Sequence, residues 1–353
     1  GWDDRLAELA AIGTITDMAP LLGENRYIVA NGLAKLKRTT SPGLIALLDA
    51  GRVEPDQVDA DTVGFTIGPR LNAAGRLGHA QKALDLLLTE SSEDAQLLVA
   101  QLNETNKERQ TLTDDTLKQA RDLVDGSGYP MVFVGSSDFN PGIVGLVAGR
   151  LAEELGVPAV VYSEDSGLIR ASCRSAPGFH WADSLETCSD LLDRFGGHAQ
   201  AAGFSCRSDL LPTLRSRLMA IADERLAGQP LSTHGVIDAI VDLDELMGDC
   251  FLWLRKMEPY GIGNPAPLFF SKGLTVEKAW PMGVAKNHFR LRIKDRGVLW
   301  EAIAFRQEWI EGTTKVDLVF KLEVDHWNGQ DRVRLNIQDF CPSIATVQSS
   351  FDF

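Results

Sequence analysis

The chain has 353 residues, 44% hydrophobic and 24% charged, with a net charge of −14. That length allows two or three domains with real cores, and the acidic balance excludes a general nucleic-acid binder, which neutralises phosphate with an excess of lysine and arginine. No apolar run is long enough for a membrane span, no leader pattern opens the chain, and the five cysteines (Cys173, Cys188, Cys206, Cys250, Cys341) never adopt Cys-x-x-Cys spacing, so a soluble cytoplasmic protein with reduced core thiols is expected.

The chain starts at Gly1 and enters a helical pattern at once through Leu6, Leu9 and Ala10. This reads as an excised fragment whose N-terminal part is missing, with a first helix over 2–12 ended by Gly13. Residues 1–90 alternate short helices and turns, Ser41-Pro42-Gly43 opening one of them through Leu44, Leu47 and Leu48. Their apolar faces lack the strands that would close an α/β core. From Ser91-Ser92-Glu93-Asp94, a capping-box pattern, neither glycine nor proline intervenes until Gly126, so 91–127 is predicted as one helix roughly 50 Å long. Its polar middle, 103–110, suggests a strut holding two domains apart, with a groove between them wide enough for a single strand.

Beyond it, strands at 131–134 and 158–162 flank a helix at 143–155, a βαβ unit with parallel strands. Asn140-Pro141-Gly142 places an N-cap and a first-turn proline at that helix start, where free N–H groups can receive an anion. A strand at 168–173 follows, then a helix with Trp181, Leu185, Cys188, Leu192 and Phe195 on one face that ends at Gly196-Gly197-His198. A strand at 202–206 and a helix at 211–226 close the domain. Past a linker at 227–230 the texture is β-rich, with a helix at 244–257, short strands at 236–241, 274–280, 289–293, 299–305, 316–324 and 333–337, and a hairpin turn at Trp327-Asn328-Gly329. A small barrel of the oligonucleotide-binding kind fits that pattern.

Two glycine-rich segments carry the chemistry: 68–76, with Arg70, Asn72 and Arg76, and 196–203, with Gly196, Gly197 and His198. Glycine admits an anion close to backbone N–H groups, and arginine or histidine adds positive charge. The plainer reading makes Gly196 a helix cap, the alanines packing residues and each arginine a solvated charge. Arg170 and Arg174 join the candidate cationic patch. On the β-rich part, Trp280, Phe289, Trp300 and Trp327 are either stacking platforms or core, and Lys286, His288, Arg290 and Arg292 lie on alternate positions suited to backbone phosphates.

Residues 69–76, 196–203 and 259–265 together resemble RecJ-type single-strand-specific exonucleases of the DHH phosphoesterase superfamily, over essentially the whole chain. The resemblance implies an α/β plus β-barrel protein in four parts. These are the C-terminal part of a DHH domain (1–90), a long connecting helix (91–127), a DHH-associated α/β domain (128–227) and an oligonucleotide-binding barrel (228–345). It implies a 5′ to 3′ exonuclease acting on single-stranded DNA in repair and recombination, with two Mn2+ or Mg2+ ions, and with a single-strand-binding protein or helicase as partner. Asp17, in Gly13-Thr14-Ile15-Thr16-Asp17, would be a metal ligand by that resemblance; by residue type alone it is equally a turn or capping aspartate. Gly197 and His198 would hold phosphate near the metals, with His198 the catalytic candidate. Arg70, Asn72 and Arg76 would grip phosphates further along, and Ser172, Arg174, Ser175, Asn140 and Gly142 would line the same groove. The upstream aspartates and the Asp-His-His of the family are absent, and one aspartate holds no two-metal site, so the chain alone is expected to be inert. Asn140 stands where relatives often carry histidine. The rival expectation is a non-catalytic RecJ-like nucleic-acid-binding or replication scaffold.

Overall fold

The computed structural model describes residues 2–124, 130–227, 236–283, 288–305, 307, 312–327 and 330–343. The chain divides into two compact units, Gly1–Arg5 with Lys35–His234 and Leu6–Ala34 with Gly235–Phe353.

The first unit begins with helices. Pro42 sits in the first turn of α3 (Pro42–Gly51), after α1 (Trp2–Thr16) and α2 (Gly23–Leu36), and Arg52 ends α3 in the left-handed conformation. A π-helical turn over Thr62–Ile67 runs directly into α4 (Gly68–Leu77), followed by α5 (Gln81–Leu88). The glycine-rich 68–76 segment is therefore not a loop: Gly68 donates its N–H to Val63 O, and the backbone is committed to helix. The long helix α6 (Ser92–Leu123) has 32 residues, and the Ser91 side chain caps it by accepting from Asp94 N at 3.1 Å. In its polar middle Glu104, Lys107, Glu108 and Gln110 are exposed and Asn106 is buried, and α6 packs within this one unit against α3, α4, α5 and the α/β layer.

That layer is a five-stranded sheet of order β1-β2-β3-β5-β4, formed by β1 (Val132–Ser136), β2 (Ala159–Asp165), β3 (Leu168–Arg174), β4 (Arg194–Gly197) and β5 (Ala201–Arg207). β1 and β2 are parallel across the crossover helix α7 (Val144–Leu155); the other pairings are antiparallel. Strand alternation sorts the two faces. Val132, Val134, Ala159 and Val161 pack with Leu117 and Ala120 of α6 and with Val144, Val147 and Leu151 of α7. Phe133, Val160, Ile169, Ala171, Cys173 and Phe204 pack on the other side with Trp181 and Leu185 of α8 (Trp181–Glu186) and Leu214 and Leu218 of α9 (Leu211–Leu226).

Two local expectations are corrected here. The helix from Trp181 stops at Glu186, and Gly196-Gly197 belongs to β4 of a hairpin rather than to a helix end. Phe195 consequently lies on an exposed strand. Asn140 does not cap α7: its Oδ1 accepts from Gly142 N at 2.8 Å in a turn ahead of Ile143, which holds the cap position.

In the second unit α1 continues through Gly13 to Thr16, and α2 follows. The β-rich part begins with a short β6 (Ala239–Ile240), a 3-10 turn at Leu243–Leu246 and α10 (Cys250–Lys256), two pieces where a single helix over 244–257 was expected; Gly248, at φ +67°, separates them. β7 (Phe269–Met282), β8 (His288–Asp295), β9 (Val298–Phe305), β10 (Lys315–Trp327) and β11 (Gln330–Pro342) form a five-stranded barrel. It closes because β10 pairs with both β11 and β7, and β11 runs parallel to β9. Closure removes free edges, and Leu274, Leu291, Ile293, Trp300, Val316, Leu318, Phe320 and Leu335 fill the interior. Trp327 pairs with Gln330 across a two-residue turn whose own residues, 328 and 329, lie outside the described ones.

Candidate phosphate-binding site

Strand β3 sets the site's floor. Cys173 and Ala171 point into the core, so Ser172 and Arg174 take the opposite, α7 face. Register aligns Ser172 with Gly203 and Gly203 with Gly196, while Arg174 opposes Ala201. Beside Arg174 the sheet thus carries only glycine and alanine on this face, a shallow trough without side-chain walls. Helix α7 accommodates the arginine through Gly145 and Gly149, one turn apart. A Cβ on Gly145 would lie 3.1 Å from Arg174 Nη2 and 3.2 Å from Ser172 Oγ, and one on Gly149 3.9 Å from Arg174 Cγ. Arg174 donates Nη1 to the Cys173 carbonyl at 2.8 Å.

Arg76 reaches the same place from the last turn of α4. Its Nη1 lies 3.4 Å from Gly142 O, and its own carbonyl sits so close to Gly142 that a Cβ there would be only 2.1 Å from it. Arg109, from the middle of α6, lies close enough to feel the charges of Arg76 and Arg150, and its guanidinium donates to Asn106 Oδ1 at 3.0 and 3.2 Å. Arg150 is neutralised by Asp114 at 2.5 Å. Arg76, Arg109 and Arg174 are half-buried, and none forms an ion pair with a carboxylate among the described residues. Burial depresses all three pKa values; repulsion from Arg76 and Arg150 adds to it at Arg109, where Asp114 opposes it, and repulsion from Arg76 adds to it at Arg174, where Cys173 opposes it. Guanidinium nonetheless stays protonated in water-accessible pH ranges. Three desolvated like charges are a standing cost that a polyanion would offset.

The remaining expected residues divide. Ser172 Oγ makes no hydrogen bond among the described residues and is free to donate beside Arg174. The Ser175 hydroxyl is instead used on Phe179 O at 2.5 Å, while its N–H reaches Gln200 O at 2.9 Å and so ties the β4–β5 turn next to Arg174. His198 occupies that turn, its N–H bonded to Ala201 O at 2.8 Å and its imidazole exposed without a partner among the described residues. Gly197, at φ +141°, is required there, because a Cβ would meet Ala202 Cα at 2.4 Å; a Cβ at Gly196 would meet nothing. Asn140 keeps its amide donors while its Oδ1 braces Gly142 N. Asn72, exposed, shares the α4 face of Arg76 one turn earlier. Arg70 stands apart from this group, contrary to expectation. Its donors are turned to Asn103 Oδ1 at 2.8 Å, Thr66 O at 2.6 Å and Ala50 O at 3.5 Å, which makes it a pin between helices. Sequence reading missed Arg109, Gly145 and Gly149; only the i, i+4 glycine spacing on α7 was visible as a signal.

In the second unit Asp17 lies in the turn that ends α1, its N–H on Gly13 O at 2.9 Å. The carboxylate is exposed, has no partner among the described residues and caps nothing, at a helix end where negative charge is disfavoured. A single hard oxygen donor for Mg2+ or Mn2+ fits that position. No group of three or more metal-ligating side chains occurs among the described residues, and Asp17 stands alone there as a carboxylate. On the barrel Trp300 is interior, which removes it as a stacking platform. Phe289 is half-buried against the same core. Trp280 faces outward, with Lys278 Nζ 5.0 Å and Arg292 Cζ 5.7 Å from its ring. Arg290 and Arg292 share Glu301, and His288 stands edge-on to Phe305 at 5.5 Å. Lys286 and the Trp327 side chain lie outside the described residues. No helix among the described residues is long and apolar enough to cross a membrane.

Residues 128–224 match the DHHA1 domain family and residues 237–339 the RecJ OB domain family. The single-stranded-DNA-specific exonuclease RecJ of Bacillus subtilis is 33% identical over 344 residues, which is 95% of this chain and 44% of that protein. Two crystal structures of RecJ from Thermus thermophilus, one with Mg2+ and one with Mn2+, superpose with a TM-score of 0.83 at 33% identity. They cover 97% of this chain, which in turn covers 53% and 50% of theirs. The chain spans about half the length of the curated relatives it matches.

Proposed function

Because the chain belongs to the RecJ family and carries its DHH-associated and OB domains, we propose that it supplies the substrate-binding half of a single-stranded-DNA-specific exonuclease. The observation that carries this reading is the trio of half-buried guanidinium groups, Arg76, Arg109 and Arg174, none of them in an ion pair among the described residues, beside strand positions that carry only glycine and alanine. Arg174 and Arg76 hold a phosphate by charge-assisted hydrogen bonds, and Ser172 donates a third. The small residues at 196, 201 and 203 let a sugar-phosphate backbone lie against the sheet. His198, on its glycine-shaped turn, donates a hydrogen bond to a phosphate oxygen, and Asn72 and Asn140 add amide donors at the margins.

In the whole protein Asp17 would contribute one oxygen to a site for Mg2+ or Mn2+, and such ions would supply Lewis acidity for phosphodiester hydrolysis. Hydrolysis runs 5′ to 3′ in the cytoplasm, in DNA repair and recombination, with a single-strand-binding protein or helicase as partner. The chain divides functionally at 90/91, 127/128 and 227/228. Alone it binds without cleaving, since one aspartate holds no two-metal site. A scaffold that binds no nucleic acid gains nothing from half-buried cations held out of ion pairs, whereas a non-catalytic nucleic-acid-binding relative would share them and differs only in the metal ligands outside this chain.

The test is fluorescence anisotropy with a labelled single-stranded oligodeoxynucleotide across a salt series. Arg174→Ala and Arg76→Ala should each lose about 1.5–3 kcal/mol and flatten the slope of log K against log salt by about 0.7, and His198→Ala should weaken binding less. Unchanged affinity and slope in both arginine variants would refute the site. Manganese-dependent cleavage of the oligonucleotide by the pure chain would refute its inertness.

A further inference from the structure

The segment 254–265, just before the barrel's first long strand, contains Pro259-Tyr260-Gly261-Ile262-Gly263-Asn264-Pro265. It is braced from within. Gly261 and Asn264 exchange backbone hydrogen bonds at 2.9 and 3.1 Å, Asn264 Nδ2 donates to Met257 O at 3.1 Å and Pro259 O at 2.9 Å, and the Tyr260 hydroxyl donates to Leu254 O at 2.6 Å. A loop so tied presents a fixed backbone surface, and that surface is occupied by the corner between α1 and α2 in the same unit. Leu21 donates its N–H to Ile262 O at 2.6 Å, and Arg26 donates Nη2 to Met257 O at 2.5 Å. Both glycines are needed for the approach. A Cβ on Gly261 would lie 2.7 Å from Leu21 Cδ1, while Gly263, at φ +77°, would bring one to 3.3 Å from Leu22 Cγ and Pro20 Cβ. Leu21 is buried there.

The corner held in this way is the one that carries Asp17. Between Asp17 and Leu21 the chain is short and already constrained: Asp17, Met18 and Ala19 return their N–H groups to Gly13, Ile15 and Thr14, with Met18 at φ +58°. Fixing Leu21 and Arg26 therefore fixes the whole turn. We infer that segment 254–265 is a clasp that holds the Asp17 turn against the barrel unit, with Arg26, Gly261, Gly263 and Asn264 as positioning residues for that carboxylate. The clasp itself stands on contacts within one unit; its service to catalysis rests on the reading of Asp17 as a metal ligand.

Hydrogen exchange read by mass spectrometry on the full chain tests it, with Arg26→Ala, Arg26→Lys and Gly261→Val. The amides of residues 14–26 should exchange about ten-fold faster or more in Arg26→Ala and Gly261→Val, as expected of a local opening, while strands 269–282 and 298–305 keep their protection. Arg26→Lys, which retains one charged donor toward Met257 O, should recover part of it. Unchanged exchange of 14–26 in both variants overturns the clasp. So does acceleration of the barrel strands by the same factor, or a lysine variant as labile as the alanine one. Mn2+ affinity of the whole protein with Asp17→Ala reports on the metal-ligand reading alone, so the two can fail separately.

Discussion

Gly142→Ala is the sharpest probe of how the phosphate site is assembled. The added methyl would stand 2.1 Å from Arg76 O and 3.0 Å from Arg76 C, atoms of main chain that cannot swing aside as a side-chain end can. Either the last turn of α4 or the 140–142 turn has to retreat by about 1 Å, an overpacking strain of about 1–3 kcal/mol. For a unit of this size each kcal/mol lowers the melting temperature by about 2–4 °C, so thermal unfolding should shift down by about 2–12 °C. The same retreat carries the Arg76 guanidinium away from its neighbours, and loss of one charge-assisted contact should weaken single-strand binding by about 10-fold or more. The control is Gly13→Ala, where a Cβ meets nothing within 4 Å inside α1; it should stabilise by about 0.5–1 kcal/mol. Calorimetry and anisotropy on the same preparations decide the matter. A Gly142→Ala protein that melts and binds like the parent would show that Arg76 is not held by this contact, and the assembly argued from it would fall.

Arg109→Ala should weaken single-strand binding by about 1.5–3 kcal/mol while the melting temperature changes little, because relief of repulsion opposes the loss of its hydrogen bonds to buried Asn106; a large fall in stability with affinity intact would assign Arg109 a structural role. Trp280→Ala should cost about 1–3 kcal/mol in single-strand affinity if bases stack on its outward face, with little effect on melting, whereas Trp300→Ala should lower melting through a core cavity of about 3–5 kcal/mol and act on binding only through folding. Burial pushes the Cys206 thiol from 9.0 up to about 11, with Asp193 and Asp209 adding to it. A raised pKa means the folded state favours the protonated thiol, so this contribution to stability is complete below pH 9 and is lost as pH climbs through about 11; melting followed against pH should decline over that window, and less steeply in Cys206→Ala.

What the sequence revealed follows from which forces act locally. The helix at 92–123 was legible because Ser91 caps it and nothing in it breaks helix, and the barrel strands because interior and exterior residues alternate. Gly13 misled because its helix penalty of about 1 kcal/mol is small against the burial of Ala11 and Ile12 beside it. Gly68 and Gly75 suggested backbone N–H groups open to an anion, yet Pro69 in the first turn and the preceding π-helical turn commit that stretch to helix. Gly196-Gly197 looked like a helix end because pairing with Ala202 and Gly203, which makes it a strand, is a non-local property. Among candidate site residues, Arg76 and His198 stood out by their glycine neighbours and Arg174 as a cation, while Ser172 was singled out by the family resemblance alone. Arg109 did not, since what distinguishes it from Arg121 or Arg150 is the lack of a carboxylate, and that is decided by which helices meet. The same holds in reverse for Arg70, whose motif setting resembles that of Arg76 while its acceptors come from Thr66, Ala50 and Asn103.

The acidity of the chain gives the unpaired arginines their meaning. With 49 acidic against 35 basic side chains, many guanidinium groups find a carboxylate, as Arg121, Arg150, Arg207, Arg217, Arg296 and Arg334 do. Arg76, Arg109 and Arg174 are half-buried, form no ion pair among the described residues and are coupled by repulsion through Arg76, with Asp114 offsetting part of it at Arg109. A polyanion approaching elsewhere meets a net negative surface, screened only beyond about 8–10 Å at ordinary salt, so adventitious binding along the body is disfavoured and attraction is confined to short range. On the proposed function, registration of a strand would then depend on the few phosphates that reach Arg76, Arg109 and Arg174. A small number of strong contacts, rather than a broad basic face, is the arrangement a protein needs if it is to hold a flexible strand in one register and still let it advance.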